Sequence, residues 1–254
     1  LETLDIPFEI LSKSDEHSGL EKKLNRLCHE AKENSRPVAL VVKKGTFSKY
    51  ELKQKTCFDQ PLFREEALEI VVSEICKKSI IVSTTGMLSR ELFEIRERDK
   101  DEHERDFLTV GGMGHTSQIA LGIALQNSRQ IYCLDGDGSM IMHMGSLAIN
   151  AKSKASNFKH ILFNNSAHDS VGGQPTVAGK INLQEIITGF GYKWFKSVNY
   201  EDDIRNAIKE IKDINGPAFL EIKIKAGSRK DLGRPTISPV NNKIGFMEFL
   251  RNAN

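Results

Sequence analysis

The stretch Gly136-Asp137-Gly138 ends an apolar segment, Ile131-Tyr132-Cys133-Leu134, and 25 further residues separate it from Asn164-Asn165. The apolar segment predicts a buried strand, and the glycines on either side of Asp137 let the backbone turn sharply and approach a ligand closely. Apolar residues at helical spacing from Met140 to about Lys152 place this turn at the start of a helix. The unpaired N–H groups and positive dipole of a helix start favour phosphate oxygens.

The asparagine pair follows a second predicted strand, Phe158 to Phe163. Carboxyl ends of parallel strands meet at one edge of a sheet, where ligands of open α/β folds bind, so Asp137 and Asn164-Asn165 should lie close together. Magnesium takes few protein oxygens and completes its shell with phosphate and water. A single Gly-Asp-Gly is usually a turn and a single Asn-Asn usually a loop. Their joint spacing at two strand ends instead predicts a magnesium and diphosphate site.

This spacing resembles the signature of the thiamine-diphosphate-dependent enzymes, which consists of Gly-Asp-Gly, a spacer of about this length and Asn-Asn. The resemblance implies that magnesium is bound by Asp137, by the side chain of Asn165 and by the backbone carbonyl of Ala167, and the alignment to the signature favours Asn165 over Asn164 as the ligand. It also implies contacts to thiamine diphosphate from the residues around the signature aspartate, namely Gly136, Gly138 and Ser139.

Two upstream segments extend the cofactor site. Val110-Gly111-Gly112-Met113-Gly114-His115 is by itself a weak phosphate-loop signal. In the resembling enzymes the matching loop contacts the aminopyrimidine ring, which implies backbone hydrogen bonds from Gly111 and Met113 and a Met113 side chain that props the cofactor into a bent shape. Thr84-Thr85-Gly86, after the predicted strand Ser79 to Val82, either adds contacts to the diphosphate or forms an ordinary strand-end turn.

Three longer segments narrow the resemblance to the phosphonopyruvate decarboxylases, with the sulfopyruvate decarboxylases as close relatives. These segments are residues 142–147, 164–176 and 227–235. The implied reaction is non-oxidative decarboxylation of 3-phosphonopyruvate to phosphonoacetaldehyde, as in phosphonate biosynthesis. The open alternatives are a sulfopyruvate decarboxylase subunit, a carboligase of the acetolactate synthase type, and a non-catalytic cofactor-binding subunit.

The loop from Ser166 to Lys180 is the candidate for closing over a reactive intermediate, because its glycines allow movement. His168 and Asp169 could relay a proton or orient the substrate, and Gln174 could hydrogen-bond it. An equally good interpretation is that His168 and Asp169 brace the loop.

Other polar residues have weaker claims. His115 could approach the cofactor or simply begin a helix, and core packing is the better explanation for Met142 and His143. A basic segment near the C-terminus could bind a phosphonate, because arginine matches its geometry with paired donors. Such a segment is more often a solvated or interface surface; its basic residues are Arg229, Lys230 and Arg234.

Composition fits a cytoplasmic α/β enzyme. The 254 residues are 39% hydrophobic, which is ordinary for a protein with a sizeable core, and the net charge of +2 argues against a nucleic-acid partner. No apolar run approaches the roughly 18 residues that a membrane span needs, and the first residues do not form a secretory signal. The cysteines show no metal or redox spacing and predict reduced thiols; they are Cys28, Cys57, Cys76 and Cys133.

The chain divides into unequal parts. Residues 1–45 predict two short strands and one amphipathic helix, the C-terminal remnant of a pyrimidine-binding α/β domain. Residues 46–61 form a polar linker. Residues 62–254 alternate strands and helices, including one helix from Ile141 to Lys152, and predict a mostly parallel sheet covered on both faces. With the resemblance, this is the thiamine-diphosphate-binding fold.

This division of the chain leaves one function of the implied cofactor site without a residue. In the resembling enzymes a glutamate of the pyrimidine-binding domain activates the cofactor ring, and nothing in residues 1–45 matches its motif; Glu9 and Glu16 lie too close to the domain's end. The resemblance therefore implies that an upstream segment or a separate subunit supplies this glutamate. We expect a homo-oligomer, or an assembly with a pyrimidine-domain subunit.

Overall fold

The structure is a computed structural model that describes residues 1–48, 50 and 59–252. The chain separates into two compact units, Leu1–Leu52 and Lys53–Asn254. Most of the predicted linker, and Cys57 within it, lies outside the described residues.

The first unit contains a small parallel sheet with one helix. Strand β1 (Phe8–Leu11) pairs in parallel with β2 (Ala39–Val42), and helix α1 (His17–Glu33) connects them. Leu11 and Leu27 are its buried apolar side chains. These elements match the predicted strands and helix to within one or two residues.

The second unit is built on a six-stranded sheet in which every strand pair is parallel. The strand order is β4-β3-β5-β6-β10-β9. The predicted parallel sheet is thereby confirmed. The strands are β3 (Ile80–Ser83), β4 (Asp106–Leu108), β5 (Ile131–Gly136), β6 (Phe158–Asn164), β9 (Trp194–Val198) and β10 (Ala218–Lys223), while β7 (Ala167–His168) and β8 (Gln174–Pro175) form a separate antiparallel pair.

Helices cover both faces of this sheet, as predicted, because each face carries its own apolar cluster. The helices are α2 (Arg64–Glu74), α3 (Met87–Asp99), α4 (Thr116–Ala124), α5 (Asp137–Met142), α6 (Ser146–Lys152), α7 (Leu183–Phe190), α8 (Glu201–Lys212) and α9 (Pro239–Arg251). One cluster packs α2, α3 and α8 against the sheet through residues such as Leu68, Leu92 and Ile208. The other packs α4, α6, α7 and α9 on the opposite face.

The prediction of one continuous helix from Ile141 to Lys152 was wrong. Helix α5 begins four residues earlier, at Asp137, and ends at Met142. His143 leaves the helical region with φ −133° and ψ 45°, and α6 starts again after Gly145. Since glycine is a poor helix former, the break falls where propensity is lowest. The turn at Asp137 therefore lies at a helix start, as predicted, but that helix has only six residues.

Sequence periodicity also missed β4 and α9. Strand β4 has only three residues and includes a buried aspartate, Asp106, so it has no apolar run to detect. In α9 the apolar Val240 and Ile244 are exposed, whereas Asn242 is buried. The Asn242 side chain accepts from the Leu108 backbone N–H at 3.1 Å and donates to the Asp106 carbonyl at 3.0 Å. Helix α9 thus covers the edge strand of the sheet.

The strand order places a crevice at the carboxyl edge. From β3 the chain runs to β4 on one side, then crosses back to β5 on the other side. Because of this reversal, the connections that leave β3 and β5 run in opposite directions and leave a crevice between them. Ligands of open α/β sheets bind in such a crevice. Among the described residues, no helix is long and apolar enough to cross a membrane.

Candidate active site

A cavity of about 350 Å³ lies at the carboxyl ends of β3, β5 and β6. It brings together, from sequence positions far apart, most residues that the sequence analysis assigned to the cofactor, the metal and catalysis. The predicted residues that line it are Thr84, Thr85, Gly86, Met113, Gly136, Asp137, Gly138, Ser139, Asn165, Ala167, His168 and Asp169.

Asp137 is the acidic centre of this cavity. Only 3% of the residue is exposed, and burial raises the pKa of its carboxyl to about 6, although a hydrogen bond from the Thr176 hydroxyl opposes that rise. A buried carboxylate is costly unless it is paired or coordinates a metal. A cation beside Asp137 would remove that cost.

The two asparagines have different surroundings. The Asn164 amide donates to Glu221 at 2.7 Å, and its oxygen accepts from the Ser166 backbone N–H at 3.0 Å. Asn165 lines the cavity, and its oxygen accepts from the Ala167 N–H at 3.0 Å, which leaves further lone-pair capacity on that oxygen. The second asparagine is therefore the one placed to reach a cation.

The backbone of Ala167 lies in the short pair β7–β8. The neighbouring His168 carbonyl accepts from the Gly173 N–H at 2.9 Å, on the side of the hairpin loop. Carbonyls alternate in direction along an extended strand, so the Ala167 carbonyl points the opposite way. Asp137, Asn165 and Ala167 all line the cavity, and the ligand atoms that they can offer to a cation are oxygens, the donor type that magnesium prefers.

Ser139 joins three segments of the site. Its hydroxyl accepts from the Thr84 hydroxyl at 3.0 Å and from the backbone N–H of Gly114 at 3.1 Å. The strand end after β3, the glycine-rich loop and the turn at Asp137 are therefore held to one another. The hydroxyl groups of Thr84 and Ser139 thus lie side by side.

The glycine-rich loop only partly reaches the cavity. Met113 lines it, whereas Gly111 is exposed and does not. Gly86 adopts φ +107°, and a Cβ there would come within 2.7 Å of the Ser170 hydroxyl oxygen. Glycine at position 86 is thus required both by the backbone conformation and by the space.

His168 lies directly over the signature turn. A Cβ on Gly138 would lie 2.6 Å from both Cε1 and Nδ1 of the His168 ring, and 3.4 Å from the Met113 methyl carbon. The imidazole therefore packs on the backbone of Gly138, next to the Asp137 carboxylate. Of the three residues predicted for catalysis, His168 is the one that packs against the turn at Asp137.

Asp169 is part of a buried charged network. Its Oδ2 accepts from Asn165 Nδ2 at 2.6 Å, from Arg64 Nη1 at 3.1 Å and from the Gly227 N–H at 3.0 Å. Arg64 also donates two hydrogen bonds to Glu91, at 2.8 and 2.9 Å. Burial raises the pKa of Glu91 against the opposing effect of Arg64. This geometry supports the interpretation that Asp169 braces the loop.

Sequence reasoning missed Arg64 and Glu91. Glu91 had a detectable signal, since it falls within the apolar face Leu88, Leu92 and Ile95 of a predicted helix. A carboxylate on a buried face needs a cationic partner. The sequence could not show that Arg64 is that partner.

The surroundings of Gln174, Met142 and His143 differ from those expected from the sequence. Gln174 is exposed and folds back against Gly172, outside the cavity. The expectation of core packing for Met142 and His143 was wrong, because both residues are exposed where the helix breaks. Met142 lines the cavity, and the rings of His143 and His115 lie with centroids 4.4 Å apart at an interplanar angle of 51°.

Arg229 has carboxylate partners instead of a free guanidinium. It pairs with Glu65 at 3.0 Å, with Asp231 at 3.2 Å and with Glu94. These contacts favour the interpretation of this segment as a structural surface over direct phosphonate binding.

Comparison with known proteins identifies the family. The family model described as "Thiamine pyrophosphate enzyme, C-terminal TPP binding domain" matches residues 84–222, more than half of the chain. The chain belongs to this family. The match begins at Thr84, directly after β3, and runs into β10, so it includes the ends of β5 and β6 and the loop that follows β3 at the cavity.

Curated members of the family include decarboxylases similar to this chain. It is 36% identical to a phosphonopyruvate decarboxylase of Streptomyces hygroscopicus over 186 residues, which cover 73% of the chain and 45% of that protein. It is 35% identical to sulfopyruvate decarboxylase subunit beta of Methanocaldococcus jannaschii over 153 residues, covering 59% and 79%. The predicted resemblance is confirmed. The chain spans less than half the length of the phosphonopyruvate decarboxylases it matches.

Solved structures agree on the fold. The thiamine diphosphate-dependent 4-hydroxybenzoylformate decarboxylase of Rhodococcus jostii RHA1 superposes with a TM-score of 0.57 at 17% identity, covering 74% of this chain and 37% of that one. At this identity the likeness extends to the architecture of the family alone.

Proposed function

We propose that this chain is the diphosphate- and magnesium-binding part of a thiamine-diphosphate-dependent phosphonopyruvate decarboxylase. The observation that supports it best is the convergence of Asp137, Asn165 and Ala167 in one cavity of a chain that is 36% identical to such a decarboxylase. The reaction would release phosphonoacetaldehyde and CO₂ from 3-phosphonopyruvate.

Magnesium would be held by the Asp137 carboxylate, the Asn165 amide oxygen and the Ala167 carbonyl. The all-oxygen donor set suits this cation, which fills its remaining positions with diphosphate oxygens and water. The buried Asp137 carboxylate, whose pKa is raised by burial, supplies the negative charge that draws the cation in.

The diphosphate would contact the cluster of hydroxyl and amide groups around Ser139. The hydroxyls of Thr84 and Ser139 are already oriented by their mutual hydrogen bond, and Gly136 and Gly138 allow close approach of the backbone. Thr85, Gly86, Gly111 and Met113 would complete the contacts to the cofactor. When bound, thiamine diphosphate supplies the electron sink that decarboxylation of a 2-oxo acid needs.

His168 is the candidate for proton handling at the reacting carbon. Its ring packs on Gly138 and lines the cavity. Asp169 acts differently: its carboxylate is fixed by three donors and orients Asn165. Gln174 would contact substrate only if the loop carrying it moved toward the cavity.

The glutamate that activates the cofactor ring would come from outside residues 1–45. The first unit carries Glu9, but this side chain is paired with Arg26. A homo-oligomer or a partner chain with a pyrimidine-binding domain would supply the missing group.

A sulfopyruvate decarboxylase subunit is the second candidate. It is favoured by the match to relatives described as subunit beta, of which the chain covers 79% in Methanocaldococcus jannaschii. A phosphonate and a sulfonate are both tetrahedral anions, so the geometry of this cavity does not separate them.

The test is aldehyde release from phosphonopyruvate, sulfopyruvate and pyruvate by the native protein with thiamine diphosphate and magnesium. We expect preference for phosphonopyruvate and loss of turnover in Asp137→Ala. Preference for sulfopyruvate would favour the second candidate. Turnover of none of the three, with cofactor shown to be bound, would exclude a decarboxylase.

A further inference from the structure

Three side chains of types that can bind a metal lie close together within the sheet. Cys133 and His160 are register partners on the adjacent strands β5 and β6, and Asp135 is two residues further along β5. Since side chains two residues apart on a strand point to the same face, all three project from one side of the sheet. Their ligand atoms lie within 4.8 Å of one another, and none of the three lines the cavity described above.

The cluster is closed to solvent. Cys133 and His160 are fully buried, and Asp135 is 1% exposed. Within the described part of the chain, neither ring nitrogen of His160 has a hydrogen-bond partner; Nε2 lies 3.5 Å from Oδ2 of Asp135. The other oxygen of Asp135 accepts from the Gly136 N–H at 2.9 Å, which leaves Oδ2 facing the imidazole.

Such an arrangement is costly without a ligand. Buried polar groups are nearly always hydrogen-bonded, and an unpaired imidazole beside a carboxylate and a thiol requires a water, an ion or another explanation. An ion that accepts nitrogen, sulfur and oxygen donors would satisfy all three side chains at once.

The chemical types of the three ligand atoms indicate which metal would bind. A thiolate, an imidazole and a carboxylate suit zinc, whereas magnesium prefers oxygen ligands only. Zinc ligands in a tetrahedral site are roughly 3.5 Å apart, so side chains within 4.8 Å need only a small inward movement. A water molecule would fill the fourth position of a tetrahedral site.

We propose that Cys133, Asp135 and His160 bind one zinc ion, distinct from the magnesium at Asp137. The ion would connect β5 to β6 just below the strand ends that carry the signature turn and the asparagine pair. Its role would be structural, because the site is closed to substrate. This inference does not depend on the proposed decarboxylase activity.

Metal analysis of the native protein tests the proposal. Protein purified without chelators, in buffer containing magnesium, should contain about one zinc per chain by inductively coupled plasma mass spectrometry. Zinc should be lost in Cys133→Ser and in His160→Asn. It should be retained in Asp137→Ala, which removes the magnesium ligand, and in Cys76→Ser, which changes an exposed thiol. Zinc-free native protein, or equal zinc in Cys133→Ser and the unchanged chain, would overturn the proposal.

A second measurement does not depend on whether those variants fold. A chain with Cys28→Ser, Cys57→Ser and Cys76→Ser keeps Cys133 as its single thiol and can be stripped of metal, refolded and given Co²⁺. The expected result is a thiolate-to-cobalt charge-transfer absorption together with the visible bands of a tetrahedral ion. The all-oxygen site at Asp137 cannot produce this charge transfer. Its absence in refolded protein would show that Cys133 is not a ligand.

Discussion

The amide nitrogen of Asn165 lies 2.6 Å from Oδ2 of Asp169, four residues later in the same loop. This contact fixes the rotation of the Asn165 amide, so its oxygen faces the Ala167 backbone and the cavity. The same Asp169 oxygen accepts from Arg64 and from the Gly227 backbone. Asp169 therefore sets the direction of a proposed magnesium ligand.

Asp169→Asn should weaken magnesium binding. An amide at position 169 can direct its NH₂ group toward Asn165, so the Asn165 amide loses its fixed orientation. We expect magnesium affinity to fall about tenfold, or ~1.4 kcal/mol, measured by titrating magnesium into the chain with thiamine diphosphate present. The unfolding free energy should change by less than the magnesium-binding free energy, because Arg64 and Glu91 remain paired.

The matched control is Asp203→Asn, an exposed aspartate at the start of α8. Unchanged magnesium affinity in Asp169→Asn would show that Asn165 is oriented by other contacts.

Arg64→Met should destabilise the fold through Glu91. The substitution leaves Glu91, which is 1% exposed, without its cationic partner. Breaking a buried ion pair in this way costs about 3–5 kcal/mol, measured by urea unfolding. The double variant Arg64→Met/Glu91→Leu should recover a large part of that loss, because no uncompensated charge remains.

Arg205→Met is the matched control. Arg205 pairs with Glu201 and Glu74 and is more exposed than Arg64. It should cost at most about 1 kcal/mol. Equal losses of unfolding free energy in Arg64→Met and Arg205→Met would show that burial does not set the cost of breaking these ion pairs.

Gly138→Ala should abolish cofactor binding. Its Cβ would lie 2.6 Å from two His168 ring atoms, so the ring or the turn must move. We expect loss of thiamine diphosphate binding, measured calorimetrically, with the sheet retained by circular dichroism. In Gly138→Ala/His168→Ala the clash is removed and binding should partly return.

The control is Gly122→Ala in the middle of α4, where a Cβ meets nothing within 4 Å. It should stabilise the chain by about 0.5–1 kcal/mol. Normal cofactor binding by Gly138→Ala would show that His168 moves away without cost.

Metal-free protein should lose stability as the pH rises from about 4 to 6. Burial raises the pKa of Asp137 from 3.8 to about 6. In that window the folded state holds a proton that the unfolded state has released, so the unfolding free energy falls with increasing pH. The total is about 3 kcal/mol, measured by urea unfolding in chelator at a series of pH values.

The unchanged chain and Asp137→Asn should differ by this amount, because only the former titrates at position 137. Magnesium should restore stability above pH 6 in the unchanged chain alone. Parallel pH profiles for the two proteins would contradict the raised pKa of Asp137.

Much of the architecture could be predicted because its local patterns agree with its packing. The strands around Ile131 and Phe158 are apolar runs, and the amphipathic α8 has its periodic isoleucines buried. The break after Met142 could not be predicted, since the apolar spacing continues across it. Helix α9 was missed because its buried Asn242 acts through hydrogen bonds to β4, a contact between residues more than 130 positions apart.

By itself the sequence determined the parallel α/β fold, the edge of the sheet that carries the site, and the residue types at the turn and the asparagine pair. Hydrophobic periodicity and motif spacing are enough for these three features, because the carboxyl ends of parallel strands meet at one edge of the sheet. Only the tertiary structure decided that Asn165 faces the cavity while Asn164 faces Glu221, that Arg64 neutralises Glu91, and that Cys133, Asp135 and His160 share one buried space. Hydrogen-bond direction and burial are properties of packed neighbours, and a linear sequence does not specify which distant side chains become neighbours.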